Sequence, residues 1–441
     1  MSDTIFGPDF KTEPYWWEAA RPTARAATPV PEQVDVAIVG SGYSGLSAAL
    51  ELARAGSRVC VFEQHELGWG ASSRNGGMLS GEPKFASVAE LTRAYGSNRA
   101  ARILDDGRAT LDNLKEIVER EGIDCYLQQN GRFVGAHSPA AFRALETRIR
   151  ELETQGREGF ELVPRTRMHE VTESTYYHGG LLEHAGGCLH PALYHKGLLE
   201  ACARHGVTLC GHTRVAGVLR RGQEFELAVV SQNGQAAIRA REVVIGTNGY
   251  TGPLTPWHRR RLIPLGSYII ATEPLPVERV ESMFRGFRTM SNTQRVLYYY
   301  RPSPDYTRVI FGGRASFRKT TDRDSSRTLY QYLCDVYPSL RGVRISHGWS
   351  GNIAFTFDHL PHMGIHDGMH YCMGCNGNGV QMMSYLGRQI ALKILGRTNR
   401  ECGFDGLSFQ SRPLYNGNPW FLPVVGNWYR LRDRLERALA S

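Results

Sequence analysis

Three glycines and one acid carry the first chemistry in this sequence. Gly40, Gly42 and Gly45 stand as G-x-G-x-x-G inside VAIVGSGYSGLSAAL, and Glu63 follows downstream. The first glycine permits a tight turn, the second lets a pyrophosphate approach the backbone, and the third lets a helix pack close to a strand. Ser44 lies in the first turn of that helix, where free N–H groups and a partial positive charge suit a phosphate. A carboxylate at Glu63, with Gln64 beside it, can take both hydroxyls of a ribose and favours one without a 2′-phosphate. Together these residues predict a dinucleotide site.

The elements needed to position them are present in order. Val36 to Val39 reads as a buried parallel strand, Ser44 to Ala55 as a helix ended by Gly56, and Arg58 to Phe62 as a second strand. The run GWGASSRNGGML, Gly68 to Leu79, then separates FAD from NAD. An NAD domain usually continues into another β-α-β unit. A long Gly/Ser/Asn loop can instead lay N–H groups and small hydroxyls along an extended pyrophosphate. Ala71, Ser72, Ser73, Asn75, Gly76, Gly77 and Met78 are its expected cofactor contacts, and Arg74 adds charge. Near the other end, His370 to Met373 reads as a strand, GCNGNG follows, and a helix runs from Val380 to Leu395. This second Gly-rich helix start can face the flavin ring and stabilise negative charge there. Gly374, Gly377, Asn378, Gly379, Val380 and Gln381 are assigned to it, and Val215 and Thr247 complete the expected FAD set.

The loop G-A-S-x-R-N-G-G, Gly70 to Gly77, resembles that of the D-amino-acid oxidase superfamily of FAD-dependent oxidoreductases. The likeness falls within the γ-glutamylputrescine oxidoreductase, sarcosine oxidase and pipecolate oxidase branch. It spans nearly the whole chain, from YWWEA (Tyr15 to Ala19) through VVIGTNGYT (Val243 to Thr251) and IPLGSYIIATEPL (Ile263 to Leu275). It continues in YYYRPSPDYTRVIFGGR (Tyr298 to Arg314), WSGNIAFTFDHLPHMG (Trp349 to Gly364) and MGCNGNGVQMMSYLGRQIA (Met373 to Ala391). The resemblance implies that GCNGNG carries the flavin ring. It also implies noncovalent FAD, because the Cys or His that tethers flavin in some relatives is missing from the corresponding segments.

A length of 441 residues implies two joined domains. The expected class is α/β, α+β overall: a discontinuous Rossmann-type FAD-binding domain and a substrate domain built on an antiparallel sheet. The expected pieces are an N-terminal arm at 1–30, FAD-binding segments at 31–95, 175–250 and 341–400, substrate segments at 96–174 and 251–340, and a C-terminal tail at 401–441. No apolar run suits a transmembrane helix and no signal peptide is visible, and nine scattered cysteines fit reduced thiols in the cytoplasm. The net charge of +9 rests on arginines spread along the chain, with lysine at only six positions. That pattern argues against nucleic-acid binding. Cys372 and Cys375 form a lone C-x-x-C, and His359, His362 and His366 surround a proline; neither is expected to bind a metal. Residues Asn427 to Ala440 read as an amphipathic helix with Leu431, Leu435 and Leu439 on one face. Such a helix can touch a membrane, but it more often packs on its own protein, so membrane association is not expected.

Oxidising an amine at a flavin needs an unprotonated nitrogen, an aligned C–H bond and a dry pocket rather than a strong base. Tyr268, Tyr300 and Trp349 are the candidate walls. Arg314, after two glycines, is the candidate carboxylate clamp, with Arg301 at the other end of the hairpin. One departure stands out. Sarcosine oxidases carry a lysine at the position of Gln381, and the family's loop serine and histidine are replaced by Asn376 and Asn378. The loop thus offers amides in place of a cation. The expected reaction is oxidation of the C–N bond of a secondary amine or amino acid to an imine, by hydride transfer to flavin N5, with oxygen or another acceptor reoxidising the flavin. An acylated diamine such as γ-glutamylputrescine is the alternative substrate, and an electron-transfer subunit the non-catalytic alternative. An NAD(P)H-dependent monooxygenase would carry a second nucleotide motif, which is not found.

Overall fold

The strand Gln33–Val39 is buried along its last four residues, as a strand covered on both faces must be. In the computed structural model, which describes residues 3–22, 28–82, 85, 87–318 and 320–438, it lies at the centre of a parallel sheet. Val59–Phe62 and then Thr208–Cys210 flank it on one side, and Gly234–Ile245 flanks it on the other. Met369–Met373 joins parallel to the end of Gly234–Ile245, with His362–His366 antiparallel beyond it. Gly234–Ile245 is a single strand of 12 residues. Its first half closes an antiparallel meander with Arg214–Arg221 and Glu224–Ser231, and its second half enters the parallel sheet.

Helices Tyr43–Arg54, Ser97–Glu121, Pro191–Arg204 and Gly379–Ile394 bury one face of this sheet in a shared core that includes Leu46, Leu114, Leu198 and Leu386. Tyr43–Arg54 and Gly379–Ile394 touch backbone to backbone, and any side chain at Gly387 would collide with the Ser44 carbonyl. Both helices begin in a glycine-rich turn, and this contact packs the first turn of Tyr43–Arg54 against the middle of Gly379–Ile394.

A second sheet of nine strands is mostly antiparallel. Its order runs Phe6–Lys11, Ile345–Phe355, Ile263–Thr272, Val309–Gly313, Tyr298–Pro302, Thr289–Asn292, Arg132–Gly135, Gly179–Glu183 and Phe160–Pro164. Helix Asp322–Val336 covers one face through Leu329 and Leu333, in a core with Ile270, Tyr300, Phe311 and Tyr337. The other face carries Trp16, Ile269, Ile310 and Trp349.

The sheets redraw the expected boundaries in four places. Gly179–Glu183 and Ile345–Phe355 belong to the nine-stranded sheet, although they fall within the expected FAD segments. Phe6–Lys11 is an edge strand of that sheet rather than a free arm. Ser97–Glu121, expected on the substrate side, packs into the core of the parallel sheet. Each of these elements is assigned by partners far away in sequence, which a local pattern does not carry. Between helices Ser97–Glu121 and Pro139–Thr154 the chain adds the one strand Arg132–Gly135 and a bridge from Gln128 to Cys188.

Candidate active site

The first fingerprint lines a cavity of about 470 Å³ at the C-terminal end of the parallel strands. Its walls include Gly40, Gly42, Ser44, Glu63, Gln64, Ala71, Ser72, Val215 and Thr247, so one space collects nine of the expected cofactor residues. Gly45 lies just behind it. A side chain there would collide with the Gly40 carbonyl, so the helix can approach the turn only because Gly45 has none. Gly40 itself has φ +105°, a left-handed conformation that favours glycine.

Glu63 is held at the strand end. Its Oε2 accepts hydrogen bonds from the Ser41 hydroxyl at 3.0 Å and the Ser41 N–H at 3.2 Å, and its Oε1 accepts one from the His65 N–H at 3.2 Å. The Ser41 carbonyl is hydrogen-bonded in turn to His195 Nε2 at 2.7 Å. Burial pushes the His195 pKa down to about 4, which keeps the ring neutral at pH 7. Ser41, His195, Trp69 and Tyr250 all line the cavity and were not singled out from the sequence. Ser41 was findable as the x of the fingerprint. His195 comes from a distant helix and carries no local signal.

The rest of the Gly68–Leu79 loop leads away from the cavity. Tyr43 N–H donates to Ser72 Oγ, and Trp17 Nε1 donates to Ser73 Oγ. Arg74 donates to the Trp69 carbonyl at 2.6 Å, and its guanidinium lies over the rings of Trp17 and Trp69. Asn75 uses its amide to hold its own loop, bonding the Ala71 and Ser72 carbonyls and the Gly77 N–H. Met78 pairs with Cys188. Arg74 therefore braces the loop, whose Ser73, Arg74 and Asn75 N–H groups bond the Gly70 and Ala71 carbonyls. At Gly76 the loop meets the ring of Tyr299.

The second loop is braced in the same way. Asn376, at φ +45°, accepts a hydrogen bond from the Thr356 N–H and donates one to the Gly374 carbonyl. Gly374 N–H donates to Asn248. Gly377, Asn378 and Gly379 lead into the helix, and Val380 is buried in its first turn. Gln381 is turned inward. Its amide donates to the Ser80 carbonyl at 2.7 Å and to Thr110 at 2.9 Å, and it accepts from the Ser80 N–H. Its side chain is thus committed to joining the two loops. Cys372 and Cys375 are both buried, and burial pushes the Cys372 thiol up to about 12, so the C-x-x-C behaves as core packing.

On the substrate side the strands alternate, and the alternation decides the candidates. Tyr300 points into the core behind the sheet, where its hydroxyl meets that of Tyr177 at 2.6 Å. Tyr268 sits in that same core. Neither belongs to the flavin side. Tyr299 does: it lies against Gly76 and its hydroxyl meets Ser267 at 2.8 Å. Trp349 packs beside Trp16 and donates Nε1–H to the Arg74 carbonyl at 2.7 Å, at the edge of the first loop. Arg301 is buried and donates to the Leu189 and Pro302 carbonyls, a structural role. Arg314 is different. It lies near Tyr299, with its guanidinium over Phe317 and Phe355, and it has no carboxylate or carbonyl partner among the described residues. Burial lowers its pKa to about 10, so the cation persists at pH 7 without a counter-charge.

Metal ligation finds no support here. His362 bonds Asp358, and His366 stacks on Trp257. Among the described residues one trio, His137, Asp433 and Glu436, could bring three ligand atoms together, but the Arg295 guanidinium already bridges the two carboxylates.

The cradle fits FAD. The oriented acid and the glycine-started helix share one cavity, as the ribose and pyrophosphate require, while the second loop, Gly374 to Gln381, lies outside its lining and only Met383 of that helix reaches it. Comparison with known proteins agrees. Residues 35–392 match the family model described as FAD dependent oxidoreductase, and the chain belongs to that family. It is an FAD-dependent oxidoreductase. It is 30% identical over 406 residues to the γ-glutamylputrescine oxidoreductase of Escherichia coli, covering 91% of this chain and 93% of that one. A Haemophilus influenzae oxidoreductase named OrdL is also 30% identical, over 88% of both chains. The crystal structure of glycine oxidase from Geobacillus kaustophilus superposes with a TM-score of 0.71, covering 87% of this chain and 99% of that one at 22% identity, and so shares the fold.

Proposed function

We propose that the chain oxidises the C–N bond of an amino acid or other carboxylate-bearing amine to an imine. The observation that carries this reading is Arg314, a partly buried guanidinium with no counter-charge among the described residues, beside the Tyr299 ring that meets the first flavin loop. A buried cation with no partner is costly, and an arriving carboxylate relieves that cost through paired hydrogen bonds. Arg314 therefore binds the substrate's acid end. Tyr299 and Trp349 supply apolar walls that exclude water, and the Ser267 hydroxyl fixes the Tyr299 ring. Asn376 holds its loop in place so that the helix start at Gly379 stays aimed at the ring site. FAD, when bound, would accept the hydride from the substrate's C–H bond while the N–H proton passes to solvent, leaving the imine, and oxygen or another acceptor would take the two electrons onward. Arg314 thus supplies the cation that Gln381 does not.

A γ-glutamylated diamine is the second reading, favoured by the likeness to the Escherichia coli enzyme. Its carboxylate stands many bonds from the oxidised carbon. The test is anaerobic flavin bleaching by proline, pipecolate and sarcosine, against diamines with and without a γ-glutamyl group. Arg314→Met should raise the concentration for half-maximal bleaching by the effective acids about 100-fold and leave the flavin spectrum unchanged. Equal bleaching of wild type and variant by these acids would sink the carboxylate-clamp reading. Bleaching by γ-glutamylputrescine alone would select the second reading.

A further inference from the structure

Helix Leu422–Ala438 is docked inside out. The residues it turns toward the protein are polar or lack a side chain. Gly426 sits on the ring of Phe317, and Arg430 donates to the Ala315 carbonyl at 2.7 Å. Asp433 is buried, accepting the Val296 N–H at 3.0 Å and the Arg295 guanidinium at 3.1 Å. Glu436 pairs with Arg295 and His137, and Arg437 lies over Tyr176 with its guanidinium bonded to that hydroxyl. The apolar residues face away. Val424, Trp428, Leu431 and Leu435, with Trp420 one turn earlier, recur at helical spacing and are 49% to 72% exposed. Leu439, expected on this face, lies outside the described residues.

A stripe of five large apolar side chains, two of them tryptophan, marks an interaction surface. Its charge setting selects the occupant. Asp433 is consumed by Arg295, and Glu436 by Arg295, His137 and, more loosely at 3.8 Å, Arg432; Arg432 and Arg434 are both exposed to solvent. At about 100° per residue, these two arginines fall on opposite sides of the stripe. An apolar stripe bordered on both sides by cations, on a chain of net charge +9, complements an anionic bilayer. A second copy of the chain would bring the same arginines against it.

We propose that this helix seats the enzyme on the surface of an anionic membrane. The stripe enters the headgroup region, Arg432 and Arg434 bind lipid phosphates, and the inward polar bonds keep the helix attached to the enzyme. Among the described residues no helix is long and apolar enough to cross a bilayer, so the association is peripheral.

The test is co-sedimentation of the FAD-loaded full chain with vesicles of phosphatidylcholine alone or mixed with phosphatidylglycerol. The protein should pellet with the mixed vesicles, at low salt far more than at high salt. The triple variant Trp428→Ser, Leu431→Ser, Leu435→Ser should bind at least about tenfold more weakly with unchanged flavin absorbance, and Arg432→Gln with Arg434→Gln should remove the lipid preference. No pelleting at low salt, or equal pelleting of the triple variant, would overturn the proposal. So would a wild-type dimer that the triple variant turns to monomer, which would assign the stripe to a second copy. The outcome does not depend on which amine is oxidised.

Discussion

Glu63 already accepts three hydrogen bonds from the chain, two from Ser41 and one from the His65 N–H. These bonds fix the carboxylate before any ribose arrives, so little side-chain freedom is lost on binding. Hydrogen bonds to a charged acceptor are worth about 1.5–3 kcal/mol each. Glu63→Gln should therefore weaken FAD about 10- to 100-fold, read by titrating the apoprotein with FAD and following flavin fluorescence. Affinity within threefold of wild type would mean the ribose is held elsewhere. Arg314, the proposed carboxylate clamp, is the counterpart, a charge with no acidic partner among the described residues. The two residues show opposite uses of electrostatics. One charge is satisfied in advance so that it points correctly, and the other is left unsatisfied so that it attracts.

The two glycine-started helices are the elements on which the cofactor site depends, and their contact at Gly387 and Ser44 has no room for a Cβ. Gly387→Ala should push them apart. A loss of at least ~2 kcal/mol of stability is expected, with weaker FAD binding, measured by urea unfolding and flavin titration. How far the elements were legible depended on how local their causes were. The fingerprint, its acid and the second Gly-rich helix start are written in consecutive residues, so spacing alone located them. Tyr299 and Tyr300 are adjacent, and only the placement of the strand says which of the two faces the flavin loops. A period of two cannot choose between faces when both are apolar. The setting of the Gln381 amide was hidden for a similar reason, since the residues that claim it, Ser80 and Thr110, are far away in sequence. The tail helix was visible as amphipathic, but its polar side faces inward because Arg295, His137 and Tyr176 wait there. No pattern within the helix encodes that choice.

At the scale of the molecule, the cavity draws its walls from the first loop, the meander, the turn after Ile245 and two residues beyond position 350, Asn352 and Met383. Asn352 belongs to the nine-stranded sheet, and the other walls are strand ends of the parallel sheet and its meander together with the loops and helices that leave them. Binding FAD therefore ties both sheets together. Removing FAD should lower the melting temperature by several degrees and broaden or split the transition. Restoring it at a hundredfold excess over Kd should return about 2.7 kcal/mol. A melting curve indifferent to FAD would show that the sheets hold each other without it.

The 12-residue strand Gly234–Ile245 has a consequence for how the protein is made. On one side it pairs with Gln33–Val39, which leaves the ribosome two hundred residues earlier, and on the other with Met369–Met373, which leaves more than a hundred residues later. The nascent chain must carry the lone Gln33–Val39 and Val59–Phe62 strands until that middle strand emerges, and the cavity stays open until Met383 follows. The complete cavity therefore forms only after Met383 has emerged. A message cut short before that point yields a chain with its fingerprint intact and no seat for the flavin.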